Sequence, residues 1–386
     1  MNLSHILNHL GEDRASYHYA VSPPIFQTSN FTFADVAHMR ASIKDELNNS
    51  FYTRGCNPTV AMLRKKVAAL EKAEDALIFG SGAAAATAAI ISQVEAGNHI
   101  VSVAKPYSWT FKLMSIFLKR FGVTTTFIDG TKTENYEKAI QDNTKLLYLE
   151  SPNSLTFELQ DIEAVAKIAK AHKVVTVLDN SYASPINQNP IEMGIDIVFH
   201  SATKYLGGHS DTVCGVLCAN EAIIRQIFAN EYMTFGGIIS PNDAAMLLRS
   251  LRTLPLRMER IGQTTLKIVE FLENHPKIEQ VYFPHSPSFP QYELAQKQHK
   301  APSGLFSIKL KAKNRDDIDR FCDSLQAFLL ACSWGGHESL VFPICGLDDS
   351  ENYKENELAW NLIRVNIGLE DADFLIEDLK QALEKI

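Results

Sequence analysis

Two apolar runs, separated by a short polar stretch, constrain this chain more than any other feature. Val174 to Asn180 reads V-V-T-V-L-D-N, and Ile195 to Gly208 reads I-D-I-V-F-H-S-A-T-K-Y-L-G-G. Asp179 closes the first run and Lys204 closely follows the second. Neither run shows the strict polar alternation of a half-exposed strand, so the pattern predicts two strands buried on both faces. In an open α/β sheet, ligands bind beyond the carboxyl ends of the strands. A carboxylate and a lysine are therefore expected on one rim.

The 386 residues are enough for two or more domains with large cores. Hydrophobic residues make up 46% and charged residues 21%, ordinary for a globular enzyme. The formal charge of −8, from 37 basic and 45 acidic residues, argues against nucleic acid or an anionic membrane as partner. The first residues carry no basic and apolar signal, and the run Ala83 to Ile91 is too short to span a bilayer. The six cysteines form no C-x-x-C pair, so no zinc or redox motif is expected and no metal site is assigned, and six in so long a chain do not make a disulfide scaffold. Free thiols fit a reducing, cytoplasmic setting.

Three regions are expected. Residues 1–48 read as an arm, extended around Pro23-Pro24, that is expected to pack on something, another subunit being one candidate. Residues 49–240 alternate helix and strand: Leu63, Val67 and Leu70 at helical spacing, Ala76 to Phe79 as a strand, Leu146 to Leu149 as another, then Ile162, Val165 and Ile168 on a helix. That order predicts a mostly parallel central sheet flanked by helices. Residues 241–386 read as a smaller C-terminal α+β domain. Asn242-Asp243 is expected to cap a long helix that Pro255 breaks or kinks, Ser303 to Leu310 to alternate as a strand, and Asp371 to Ile386 to form an amphipathic helix.

Pyridoxal 5'-phosphate (PLP) needs a lysine amine for a Schiff base and an acid beside its ring nitrogen, which is what Lys204 and Asp179 would supply. The alternative is a structural salt bridge, disfavoured because each residue follows an apolar strand and Gly207-Gly208 permits close approach. Gly80-Ser81-Gly82, before a helix, is either an anion-binding N-terminus or a tight turn. Ser201 and Thr203 add hydroxyls suited to a phosphate. Arg54, in Tyr52-Thr53-Arg54, is a phosphate clamp or an ordinary surface arginine. Tyr107 is a ring-stacking residue or core. Arg364, inside the strand-like Leu362 to Gly368, needs a partner: a substrate carboxylate or a buried acid. Cys214, Cys218, His200 and His209 read as packing or supporting residues.

Together these segments resemble, along nearly the whole chain, the PLP-dependent enzymes of cysteine and methionine metabolism. The lysine motif is Ser201-Ala202-Thr203-Lys204-Tyr205-Leu206-Gly207-Gly208-His209-Ser210-Asp211. The resemblance implies the fold type I, aspartate aminotransferase-like architecture. It implies that Lys204 carries the cofactor and that Asp179 pairs with its ring nitrogen. Ser201, Thr203 and the amides of Gly82 and Ala83 would hold the phosphate, with Tyr107 stacked on the ring. Tyr52 and Arg54 would reach the phosphate of a neighbouring subunit's cofactor, in a homotetramer built as a dimer of dimers. Arg364, helped by Ser333, would bind the substrate carboxylate.

The departures point to a branch. Many members read Glu-Ser-Pro-x-Asn-Pro where this chain has Glu150-Ser151-Pro152-Asn153-Ser154-Leu155, so the expected asparagine is missing or shifted to Asn153. Cys332 stands where γ-synthases and γ-lyases commonly carry glutamate. The segment Ser333-Trp334-Gly335-Gly336 is similar to that of bacterial cystathionine β-lyases. The implied activity is α,β-elimination of cystathionine to homocysteine, pyruvate and ammonia, in trans-sulfuration and methionine biosynthesis. Lys204 would be the catalytic base, with Tyr107 and Tyr52 assisting and Trp334 in the substrate pocket. The alternatives are a methionine γ-lyase, a cystathionine γ-synthase or γ-lyase, an O-acylhomoserine sulfhydrylase, or a non-catalytic PLP-binding protein.

Overall fold

The computed structural model describes residues 1–347, 350 and 358–386. Seven strands form the larger sheet: β1 (Asp75–Phe79), β2 (His99–Val103), β3 (Thr124–Ile128), β4 (Thr144–Glu150), β5 (Val175–Asp179), β6 (Ile197–Ser201) and β7 (Gly215–Ala219). Their spatial order is β1-β7-β6-β5-β4-β2-β3. Strands β2 to β6 run parallel, whereas β7 is antiparallel to both neighbours. The predicted α/β architecture with a mostly parallel sheet is therefore present.

Local sequence explains the elements that aim the site. The helix Pro58–Glu71 starts with Asn57 accepting from the Thr59 amide and Pro58 in the first turn, where its missing N–H costs nothing. Leu63, Val67 and Leu70 are buried, as their spacing predicts. The helix Gly82–Ile91 is capped by Ser81, and buries Ala85, Ala86, Ala88 and Ala89. These small side chains let it lie close on β6 and β7. The strands β5 and β6 are apolar because both faces are covered, with Val177, Leu178, Ile197 and Val198 fully buried.

A second sheet follows: β8 (Ile278–Tyr282), β9 (Leu305–Leu310), β10 (Leu329–Leu330), β11 (Leu340–Pro343) and β12 (Leu362–Asn366), ordered β10-β11-β12-β9-β8. The helix Ala372–Leu383 covers it through Leu375, Leu379 and Leu383. We propose residue 240 as the domain division. The cores interlock beyond it: Leu254, Met258 and Ile261 of the helix Leu254–Glu273 pack with the first part, while Ile268, Val269 and Leu272 pack with the second.

Three local expectations change. The helix over 241–251 is capped by Ser240, not by Asn242 or Asp243: the Ser240 hydroxyl accepts from the Asp243 amide at 3.0 Å. Pro255 does not break that helix but sits in the first turn of the next, Leu254–Glu273. The strand in Ser303 to Leu310 is buried nearly throughout instead of alternating, because β9 lies inside its sheet and Leu305 faces the other part of the molecule. The arm also carries structure ahead of its Pro23-Pro24 segment. Its helix Leu3–Asn8 buries Ile6 and Leu7, whose carbonyls accept from the buried Lys66 amine at 3.0 and 3.1 Å. Among the described residues, no helix is long and apolar enough to cross a membrane.

Candidate active site

The parallel strands β4, β5 and β6 end at Glu150, Asp179 and Ser201, and these three ends open on a cleft of about 330 Å³. Gly82, Ala83 and Tyr107 line it from the first part of the chain, with Asp179, Ser201, Thr203 and Lys204. Ser333, Trp334 and Arg364 enter from the second. Tyr52 and Arg54 do not line it; the Arg54 guanidinium lies 5.7 Å from the Tyr52 ring centre, and that ring is exposed.

The Lys204 amine donates to Ser333 Oγ at 2.7 Å and lies 5.5 Å from the Trp334 ring centre. Burial, reinforced by the positive charge of Arg364, lowers its pKa to about 8. The neutral, nucleophilic form is therefore about a tenth of the population at pH 7, far more than for an unshifted lysine. Trp334 is held edge-on against Tyr205, 5.4 Å between ring centres. Gly335 has φ +81°, and a Cβ there would stand 3.0 Å from the Tyr205 nitrogen, so this loop presses directly on the lysine loop.

Asp179 is held by Ser181, whose amide and hydroxyl donate to Oδ1 at 2.9 and 2.6 Å. The Ser181 hydroxyl accepts in turn from the Ser201 amide at 2.7 Å, tying the end of β5 to the end of β6. Oδ2 of Asp179 takes no hydrogen bond among the described residues. Burial raises the Asp179 pKa, opposed by the Ser181 hydrogen bonds. A cationic partner in the cleft would favour the ionised form.

A Cβ on Gly82 would lie 2.6 Å from Ser201 Cβ, so only glycine lets this helix N-terminus stand directly over Ser201. The Ser201 hydroxyl has no partner among the described residues. Thr203 is differently placed: its hydroxyl donates to the Cys214 carbonyl at 3.2 Å and accepts from the Cys214 amide at 3.0 Å. Arg364 donates to the carbonyls of Cys332 and Ser333 at 2.7 and 3.1 Å, with its guanidinium 5.0 Å from the Phe342 ring centre.

Sequence reasoning gave no role to Ser181 or Glu150. Ser181 has a local signal, a serine two residues after an aspartate, the spacing at which an Asx turn forms. Glu150 has none, because its partner Tyr107 lies far away along the chain. Asn153 lines the cleft, and its side-chain amide donates to Glu158. Cys214 and Cys218 are buried and unpaired, and His200 lies 3.0 Å from buried Glu71.

The site fits PLP by its donor set: a lysine of lowered pKa, an acid with a free oxygen, and a glycine-opened helix N-terminus over a serine hydroxyl without a partner among the described residues. The fold and this cleft define a fold type I PLP-dependent enzyme. The sequence model of the Cys/Met metabolism PLP-dependent enzyme family matches residues 5–384, and the chain belongs to that family. It is similar to the L-methionine gamma-lyase of Treponema denticola, 38% identical over 98% of this chain and 96% of the relative. It is also similar to the cystathionine gamma-lyase of Bacillus subtilis, 37% identical over 95% of each. The solved cystathionine gamma-lyase of Lactobacillus plantarum, complexed with L-serine, superposes with TM-score 0.92 at 32% identity, covering 100% of this chain and 99% of that one.

Proposed function

We propose that this PLP enzyme is a carbon–sulfur lyase acting on a sulfur amino acid, and that it takes cystathionine by α,β-elimination to homocysteine, pyruvate and ammonia. The observation that carries the reading is the Lys204 amine, at about pKa 8, facing Ser333 in a cleft that also holds Arg364. The bound cofactor supplies the electron sink for loss of the α-proton. Lys204 is the base that takes that proton and the acid that returns one to the leaving sulfur. Arg364 holds the substrate carboxylate, and Ser333 orients the lysine amine between the two tasks. Asp179 keeps the ring nitrogen protonated, while Gly82, Ala83 and Ser201 anchor the phosphate, with Thr203 closing the cradle from behind. Tyr107 stacks on the ring and Trp334 walls the substrate side.

The choice of Cβ rests on Cys332 and Trp334. Cys332 lines the cleft beside Lys204, so this position offers a thiol and no carboxylate. A second reading, elimination at Cγ, rests on the relatives, which carry the names methionine gamma-lyase and cystathionine gamma-lyase. Incubation of the PLP-loaded protein with cystathionine, methionine and O-acetylhomoserine separates them. Pyruvate marks β-elimination; 2-oxobutyrate marks γ-elimination and overturns the first reading.

The exposed Tyr52 and Arg54 serve, in this proposal, the cofactor phosphate of a neighbouring subunit. The enzyme then works as a cytoplasmic homotetramer, a dimer of dimers with shared sites.

A further inference from the structure

We propose that Glu150 is a positioning residue, whose carboxylate fixes two cleft-lining loops together and so sets where Tyr107 stands against the cofactor. The proposal rests on the PLP reading of the cleft. Glu150 ends β4, in direct register with Asp179 at the end of β5. It lines the cleft and is only 5% exposed. Its Oε2 accepts from the Tyr107 amide at 2.7 Å. Its Oε1 accepts from the amide and the hydroxyl of Ser154 at 2.9 and 2.7 Å. The donors come from two separate loops, one after β2 and one after β4.

Tyr107 opens the short helix Ser108–Lys112 without a side-chain cap, and its ring is 46% exposed. The Glu150 bond anchors the backbone nitrogen of the residue that carries this ring. Removing the acceptor would leave buried donors unpaired, which is costly.

The arrangement tolerates one proton. Burial and the neighbouring Asp179 charge push the Glu150 pKa up to about 8. In the protonated form one oxygen donates to the Ser154 hydroxyl, which turns from donor to acceptor. Both backbone amides keep their acceptors. A glutamine has a single acceptor oxygen, so it serves the Tyr107 amide or the Ser154 amide but not both. Glu150→Gln is therefore a near-isosteric change that breaks the bridge.

The test uses the purified protein and PLP alone. Glu150→Gln is expected to take up PLP with full stoichiometry at saturation. Its PLP Kd should rise roughly tenfold, the effect of one lost buried hydrogen bond, and the visible circular dichroism of the bound cofactor should fall. Ser154→Ala, which spares both amide contacts, should raise Kd only about two- to threefold by the same measure. Rescue of the circular dichroism by a carboxylate, in Glu150→Asp, would strengthen the assignment. A Glu150→Gln protein with a lower melting temperature but unchanged Kd and dichroism has lost only a structural contact, and overturns the proposal. If Glu150→Gln does not fold, Ser154→Ala decides: an unchanged Kd overturns it. A wild-type protein that binds no PLP overturns both this role and the reading of the cleft, whereas a change of keto acid product touches neither.

Discussion

The Lys204 amine donates a 2.7 Å hydrogen bond to the Ser333 hydroxyl, so segments that follow the two sheets of the molecule meet at this nitrogen. Lys204 follows β6 of the larger sheet, and Ser333 follows β10 of the smaller one. Ser333→Ala removes one hydrogen bond to a charged or reactive amine. It is expected to lower kcat/KM roughly tenfold with little change in PLP affinity. Steady-state kinetics alongside a PLP titration check this; an equal loss in both would place Ser333 in cofactor binding instead.

Arg364 is expected to act on substrate more than on cofactor. Its guanidinium is oriented by the carbonyls of Cys332 and Ser333 and lies over Phe342. Arg364→Ala should raise KM by roughly ten- to a hundredfold, the range for a charge-assisted hydrogen bond to a carboxylate. An unchanged KM would put the carboxylate contact elsewhere.

Capture of PLP by the cofactor-free protein requires the neutral Lys204 amine. Burial and Arg364 lower this amine to about 8. The rate of capture should therefore rise with pH and level off above about 8. An unshifted lysine would still be gaining rate well beyond pH 9. Stopped-flow absorbance across pH 6 to 10 distinguishes the two curves.

Acid should weaken the fold through a buried histidine pair. His285 Nε2 and His299 Nδ1 stand 3.2 Å apart, and burial lowers their pKa values to about 4 and about 3. Both lie below the unfolded value of about 6.5, so the unfolded chain binds more protons as pH drops. Stability is therefore highest above pH 6.5 and falls toward pH 4, by at most roughly 1.4 kcal/mol per histidine per pH unit. Calorimetric melting at pH 7.5, 6 and 5 measures the slope. A double His285→Gln, His299→Gln variant should show a shallower one; an unaltered slope would point to other groups.

The proposal that subunits share sites is open to a mixing experiment. Lys204→Ala and Arg54→Ala proteins should each be nearly inactive. Unfolded and refolded together, they should recover up to about a quarter of wild-type activity, because half the dimers are mixed and each has one intact site. No recovery would mean that Arg54 does not serve a neighbour.

Much of the site was legible because its chemistry coincides with strand ends. Apolar runs marked β5 and β6, and the charged residues following them had few other uses. Helices with a clear period, such as Leu63, Val67 and Leu70, were legible for the same reason. The Ser240 cap was not, since Asn242 and Asp243 are equally good capping types and only geometry chooses among them. The burial of β9 depends on a second layer that its own alternation does not reveal. The Thr203 hydroxyl looked available, yet its partner Cys214 is brought to it by the pairing of β7 with β6. Glu150 stayed hidden for a similar reason, because the loop it holds returns from a different strand.

The most direct measurement is reduction of the PLP-loaded protein with borohydride, followed by peptide mapping. The reduced cofactor should be found on Lys204 alone, and Lys204→Ala should lose both the label and the visible absorbance of the bound cofactor. Label on another lysine, or a full-strength visible band in Lys204→Ala, would contradict the account.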